Sequence, residues 1–134
     1  MEDVQRMFAE GGWSMYPIVC IALLAHLGGV AAVIVALVRK KRGLALGLGA
    51  VGLVVVMLLV GVGLLGYMMG MSATEAALAH VDPSMRDTLQ AQGRSEAMNN
   101  IWFSLCSAAI PLALAVVLFI RGAMLPKEGI GVRG

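Results

Sequence analysis

The stretch LALGLGAVGLVVVMLLVGVGLLGYMMGM, residues 44–71, runs 28 positions without a charged side chain. A bilayer core of roughly 30 Å is crossed by about 20 helical residues. The segment is therefore long enough to span, and as a straight helix at about 1.5 Å per residue it reaches about 42 Å. Tilt or projection beyond the hydrocarbon absorbs the surplus. Two more charge-free runs flank it: residues 18–38, 21 positions whose one titratable side chain besides Cys20 is His26, and residues 101–120, 20 positions. None shows the polar–apolar alternation in segments of about ten residues that barrel strands require. The expected fold is an all-α integral membrane protein with three transmembrane helices, over 18–38, 44–71 (extended to about 80) and 98–120, in a single membrane domain covering 1–134.

Composition supports the same class. The chain has 134 residues, 60% hydrophobic and 13% charged, with a mean hydropathy of +0.89. Soluble domains are about 45–50% apolar and about 25% charged. A folded globule this small leaves much of its surface wet, and 18 charged side chains cannot coat it. Disorder requires the opposite composition. Cys20 and Cys106 lie inside apolar runs, so no disulfide framework is indicated.

The basic residues set the orientation. Arg39, Lys40, Lys41 and Arg42 fill the link over 39–43, and Arg121, Lys127 and Arg133 follow the third span. The N-terminal segment is acidic on balance, and the loop over 72–97 carries only Arg86 and Arg94. The positive-inside rule then expects the 39–43 link and the C-terminal tail, 121–134, in the cytoplasm, with the N-terminus and the loop periplasmic. An odd number of spans requires the same split. The first span does not read as a cleavable signal, because its leading segment is acidic and no small-residue cleavage site precedes Arg39. Trp13 and Tyr16 stand where amphipathic rings anchor at the interface, and Pro17 suits a first helical turn. Residues 4–9 read as a short surface helix before the Gly11-Gly12 break.

The loop carries helical segments of its own. Residues 72–80, SATEAALAH, prolong the second helix until Asp82-Pro83 breaks it. Residues 85–92 can form one or two turns before Gly93. Ser95 is the expected N-cap of the third helix, with Glu96 in its first turn against the positive helix end.

Several residues are candidates for function. Gly63, Gly66 and Gly70 share one helix face, and Gly28, Ala32 and Ala36 make a second small-residue stripe. Such stripes mark close helix contact, either within the chain or in an oligomer. His26 is an ionisable group near mid-span, and so a functional candidate. A neutral imidazole bonded to a neighbouring helix is the structural alternative, and both readings stand. Haem would need a second histidine at membrane depth, and His80 is in the loop. Asn100, Ser104 and Ser107 form a polar stripe on the third helix, with Asn99 beside them and Glu96 one turn earlier. Pro111 interrupts that helix and frees a carbonyl near mid-membrane. The stripe can glue helices or line water, and both roles stay open. Met68, Met69 and Met71 invite a Cu(I) reading, but consecutive positions point to different faces and methionine commonly fills apolar gaps. No metal site, cofactor or nucleic-acid partner is expected. With no nucleophile–base pair, phosphate loop or zinc spacing, the chain does not read as an enzyme.

Residues 63–71, Gly-Leu-Leu-Gly-Tyr-Met-Met-Gly-Met, resemble the end of the second transmembrane helix in the MotA/TolQ/ExbB proton-channel family, typically Gly-Leu-Leu-Gly-Thr-x-x-Gly-Met. Ser95-Glu96-Ala97 followed by Ile110-Pro111 resembles the start and middle of that family's third helix. Phe8-Ala9-Glu10-Gly11-Gly12 with Met15-Tyr16-Pro17-Ile18 is similar to the N-terminal approach of its ExbB- and TolQ-like members. The motifs occur in family order over most of the chain. The resemblance implies a homo-oligomeric ring, pentameric in relatives, in the bacterial inner membrane. The second and third helices would line a pore around helices of a single-span ExbD- or TolR-like partner, whose aspartate carries the proton. Candidate pore-lining residues are then Tyr67, Glu96, Asn99, Asn100, Ser104 and Ser107. There are departures. Tyr67 and Ile101 stand where the family has threonines, and the large cytoplasmic domain of relatives is reduced to 39–43. Two functions follow: a proton-channel or stator-like subunit, or a non-conducting ring that scaffolds a larger complex or holds lipid. Metal transport through the methionines and His26 is a distant third.

Overall fold

Long apolar runs without charge form helices in a membrane because every backbone N–H and C=O must then be satisfied within the segment. The computed structural model describes residues 15–126, and three long helices account for nearly all of them: α1, Met15–Arg39; α2, Arg42–Leu78; and α3, Arg86–Met124. All three are long and apolar enough to cross a membrane, and no strand occurs among the described residues. The expected surface helix over 4–9, Trp13, Lys127 and Arg133 lie outside the described residues.

Two connections differ from expectation. The link between α1 and α2 is only Lys40-Lys41, because Arg39 still ends α1 and Arg42 already begins α2. Lys40 takes a left-handed backbone, φ 48°, which turns the chain sharply as a helix ends. At the other end the 72–97 loop shrinks to a tip. Residues 72–78 belong to α2 and 86–97 to α3, separated by a turn and a short 3-10 helix, Pro83–Met85. Asp82 builds that tip: its carboxylate accepts from the Ser84 backbone N–H at 3.0 Å and the Ser84 hydroxyl at 2.9 Å. These bonds hold the Asp82 carboxyl below its ordinary pKa, since they favour the charged form.

The third helix thus starts at Arg86, not near Ser95, with Met85 in the N-cap position and Asp87 as the acid of its first turn. Glu96 lies well inside the helix, where the macrodipole no longer helps it. Gly93 does not break the helix. A Cβ there would meet the Thr74 side chain, with Thr74 Cβ at 2.9 Å. Close approach of α2, and not a turn, is what this glycine serves.

Helices α2 and α3 form one antiparallel hairpin and share most of the fold's interhelical contacts. Its seam sets a glycine of one helix against a side chain of the other: Gly122 against Leu46, Gly49 and Gly52 against Phe119 and Ala115, Gly63 against Ser104, Gly70 against Ala97, and Gly93 against Thr74. Along α2 these contacts recur at intervals built from threes and fours, the spacing that keeps two helices in continuous contact. Seven of the eleven buried apolar residues are alanine, so the helices are held by near-backbone approach and dispersion. Leucines, valines and methionines face outward in quantity, Leu24, Val38, Met57 and Met124 among them. In water that surface would drive association; in lipid it is the ordinary exterior.

Helix α1 lies against the hairpin at two places. Met15, Ile18, Ala22 and Ala25 pack with Leu59 and Ala108, and Ala36 packs with Ala45 and Leu118. Over the described residues α1 has 25 positions against 37 in α2, a difference of roughly 18 Å of helix. The hairpin therefore extends beyond the described part of α1 at the Asp82 end.

Candidate functional site

The polar stripe of α3 divides between two roles. Asn100 and Ser104 are fully covered within the monomer. The Ser104 hydroxyl donates to the Ile101 carbonyl at 2.9 Å, one turn back in its own helix, and its side chain fills the notch left by Gly63. A Cβ on Gly63 would also come within 3.0 Å of the Asn100 carbonyl oxygen. Close contact, not a water-lined wall, occupies this part of the stripe. Asn99 and Ser107 are half-buried on the flanks of the seam. Pro111 is buried in α3, and its ring nitrogen cannot donate to the Ser107 carbonyl one turn before it.

Glu96 and Tyr67 do not converge. Glu96 is half-buried and accepts from Gln92 Nε2 at 2.9 Å. It lines a small cleft of about 170 Å³ with Thr74, Leu78, Val81 and Leu89. Tyr67 lies in a separate groove with Met71, Asp87, Arg94, Met98 and Trp102. Both depressions belong to the projecting part of the hairpin.

Among the glycines, Gly63 and Gly70 meet α3 as described, and Gly66 is buried between them. Gly28 is different. It is exposed, and a Cβ there would touch nothing within 4 Å. Its neighbour Gly29 makes the close approach instead, toward Leu114. Ala32 and Ala36, the rest of that stripe, do pack on the hairpin, so the contact face shifts by one residue only at the Gly28 end.

His26 is half-buried. Its Nδ1–H donates to the Ala22 carbonyl at 2.5 Å, within α1 itself and not across to a neighbour. Since that bond is local, His26→Leu is expected to change unfolding free energy in detergent by less than about 1 kcal/mol, in line with polar contacts in membrane helices. A loss of several kcal/mol in an SDS titration would show that the imidazole holds something beyond its own helix.

Two features escaped sequence reasoning. One is the Thr74–Gly93 contact, signalled only by the equal standing of two helical stretches on either side of Asp82-Pro83. The other is Arg121, whose Nε donates to the Ala36 carbonyl at 3.4 Å and whose guanidinium also reaches the Leu37 carbonyl at 3.5 Å. Carbonyls at a helix C-terminus lack intrahelical partners, and a cation there also opposes the negative helix end. Cys20 and Cys106 are exposed free thiols. Among the described residues no three His, Cys, Asp or Glu side chains come together. The chain matches no family model, no curated protein and no solved structure. What fold and geometry define is a multi-pass membrane protein with three spanning helices, built around a glycine-seamed hairpin.

Proposed function

We propose that the chain is a subunit of an oligomeric proton channel or stator-like ring in the bacterial inner membrane, working with a single-span ExbD/TolR-like partner. The basic α1–α2 turn lies in the cytoplasm and the hairpin tip in the periplasm, as positive charge on one side favours. The observation that carries the reading is the α2–α3 hairpin, which packs together the two helices that the family resemblance places around the pore. No carboxylate lies in the charge-free core of any span, so the titrating group comes from the partner. Tyr67, Glu96, Asn99 and Ser107 remain the side chains able to meet it or a neighbouring subunit.

A specific observation favours the second reading, a ring that scaffolds a complex without conducting: the Ser104 side chain is spent on the Gly63 contact and Asn100 is buried beside it. Proton flux into liposomes separates the two. With a partner carrying an aspartate in its span, flux is expected, and Glu96→Gln should lower it about tenfold by removing negative charge at the approach to the path. Unchanged flux in the variant removes Glu96 from the mechanism. No flux with any such partner, from a protein that still assembles, leaves the scaffold.

A further inference from the structure

Between its two contact zones α1 touches α3 at Gly29, and a crevice of about 330 Å³ opens among the three helices beside that contact. Ala25, Gly28, Gly29 and Ala32 form one wall, Val51, Val55 and Leu58 of α2 the other, and Pro111 and Leu114 of α3 the floor. Every lining side chain is apolar, so water gains nothing there. Leu24, Val51 and Leu58 on its rim are exposed, so the crevice opens sideways toward lipid. Counted along α2 from Arg42, the lining from Leu48 to Leu58 lies about 9–24 Å from the basic turn. With the turn at the edge of a core roughly 30 Å thick, that range begins at acyl-chain depth in the near leaflet and ends past the midplane.

Beyond the Ala36 contact, below the crevice, lies the α1–α2 turn. Arg39, Lys40 and Lys41 are exposed there, Arg42 follows, and Arg121 is drawn to the same end by the Ala36 carbonyl. The acids of the described residues, Glu75, Asp82, Asp87 and Glu96, all belong to the opposite, projecting end of the hairpin. Five cations thus share one end with no carboxylate among the described residues to balance them. We propose that an anionic diacyl phospholipid binds here, its phosphate on the basic turn and one acyl chain in the crevice. Charge selects this occupant. A zwitterionic lipid brings its own cation to the cluster, and a second copy seated symmetrically on the crevice would bring five more. The proposal is independent of whether the protein conducts protons.

The test uses the full chain in nanodiscs of phosphatidylglycerol and phosphatidylcholine in equal amounts with identical acyl chains, followed by native mass spectrometry of the lipid retained. Phosphatidylglycerol should be enriched at least about fivefold, and K40Q/K41Q should bring the two lipids close to equal retention, since each juxtamembrane charge contributes about fivefold at most. Gly28→Leu, at a position where a side chain meets no neighbour, should fill the crevice and at least halve the lipid retained. Val51→Phe, at an exposed rim position, is a second filler if the first fails to fold. Glycerophosphoglycerol, the headgroup without chains, should not displace the lipid. Equal retention of the two lipids, full retention by both fillers, or displacement by the headgroup alone overturns the proposal. Efficient disulfide formation between Gly28→Cys copies, on a background lacking Cys20 and Cys106, also overturns it by showing that another subunit covers the crevice.

Discussion

Gly63→Leu is expected to abolish the folded hairpin. The new side chain would start inside the volume of Ser104 and within 3.0 Å of the Asn100 carbonyl oxygen. A flexible neighbour could swing aside, but a helix backbone cannot, so α2 and α3 must separate over several turns. Overpacking a tight core costs about 1–3 kcal/mol and sometimes more, and this position belongs at the upper end because lost contacts along the seam add to the clash. Gly61→Leu, two residues away with nothing near its Cβ, is the matched control and should leave the protein intact. Part of the loss should return when a smaller insertion, Gly63→Ala, is combined with Ser104→Gly, since coupled neighbours are non-additive. Unfolding in SDS, followed by circular dichroism, reads all three. Equal stability of Gly63→Leu and Gly61→Leu would mean that the seam does not run through Gly63.

Neutralising Arg39, Lys40, Lys41 and Arg42 to glutamine together should randomise the orientation of the chain in the membrane. The proposed cytoplasmic side then keeps only Arg121, Lys127 and Arg133, against Arg6, Arg86 and Arg94 on the other. With the basic bias gone, about half the molecules are expected to insert inverted. Thr88→Cys reports the result, because position 88 is exposed near the hairpin tip and away from the Asp82–Ser84 bonds. On a background without Cys20 and Cys106, a membrane-impermeant maleimide should label nearly all of it in intact spheroplasts. In the neutralised variant labelling should fall to about half. A cysteine protected from the reagent in the parent would place the tip in the cytoplasm and reverse the orientation proposed.

The three spans were legible because hydrophobic length is a one-dimensional property: residues 44–71 announce a helix whatever they touch. Their surroundings were less so. Gly93 looks like a helix break when read locally, and only the presence of Thr74 across the seam makes it a helical residue. Ser95-Glu96 carries the chemistry of a helix start, yet Asp82-Pro83-Ser84 forms a tighter start thirteen residues earlier, and the helix runs on from there. The polar stripe of α3 was visible as a period, but a period has no direction. It took the partner helix to show that Asn100 and Ser104 face Gly63 while Asn99 and Ser107 lie to the sides. Gly28 and Gly29 make the same point, since either fits a small-residue stripe and only rotation about the helix axis tells them apart. Arg121 was legible as a topological charge and not as the cap of α1, because its partner carbonyls lie 84 and 85 residues away in the chain.

The glycine seam also has a mechanical consequence. Two helices in near-backbone contact along most of their length have little side-chain padding to compress, so they bend and tilt together as a single rod. That rod is about 55 Å long, and among the described residues α1 braces the part toward the basic turn. A tilt of about 5° at this foot carries the Asp82 tip through roughly 5 Å, given the length of the helix. In the ring proposed above, small rearrangements among subunits at the level of the lipid would be delivered, enlarged, to whatever stands on the far side of the membrane.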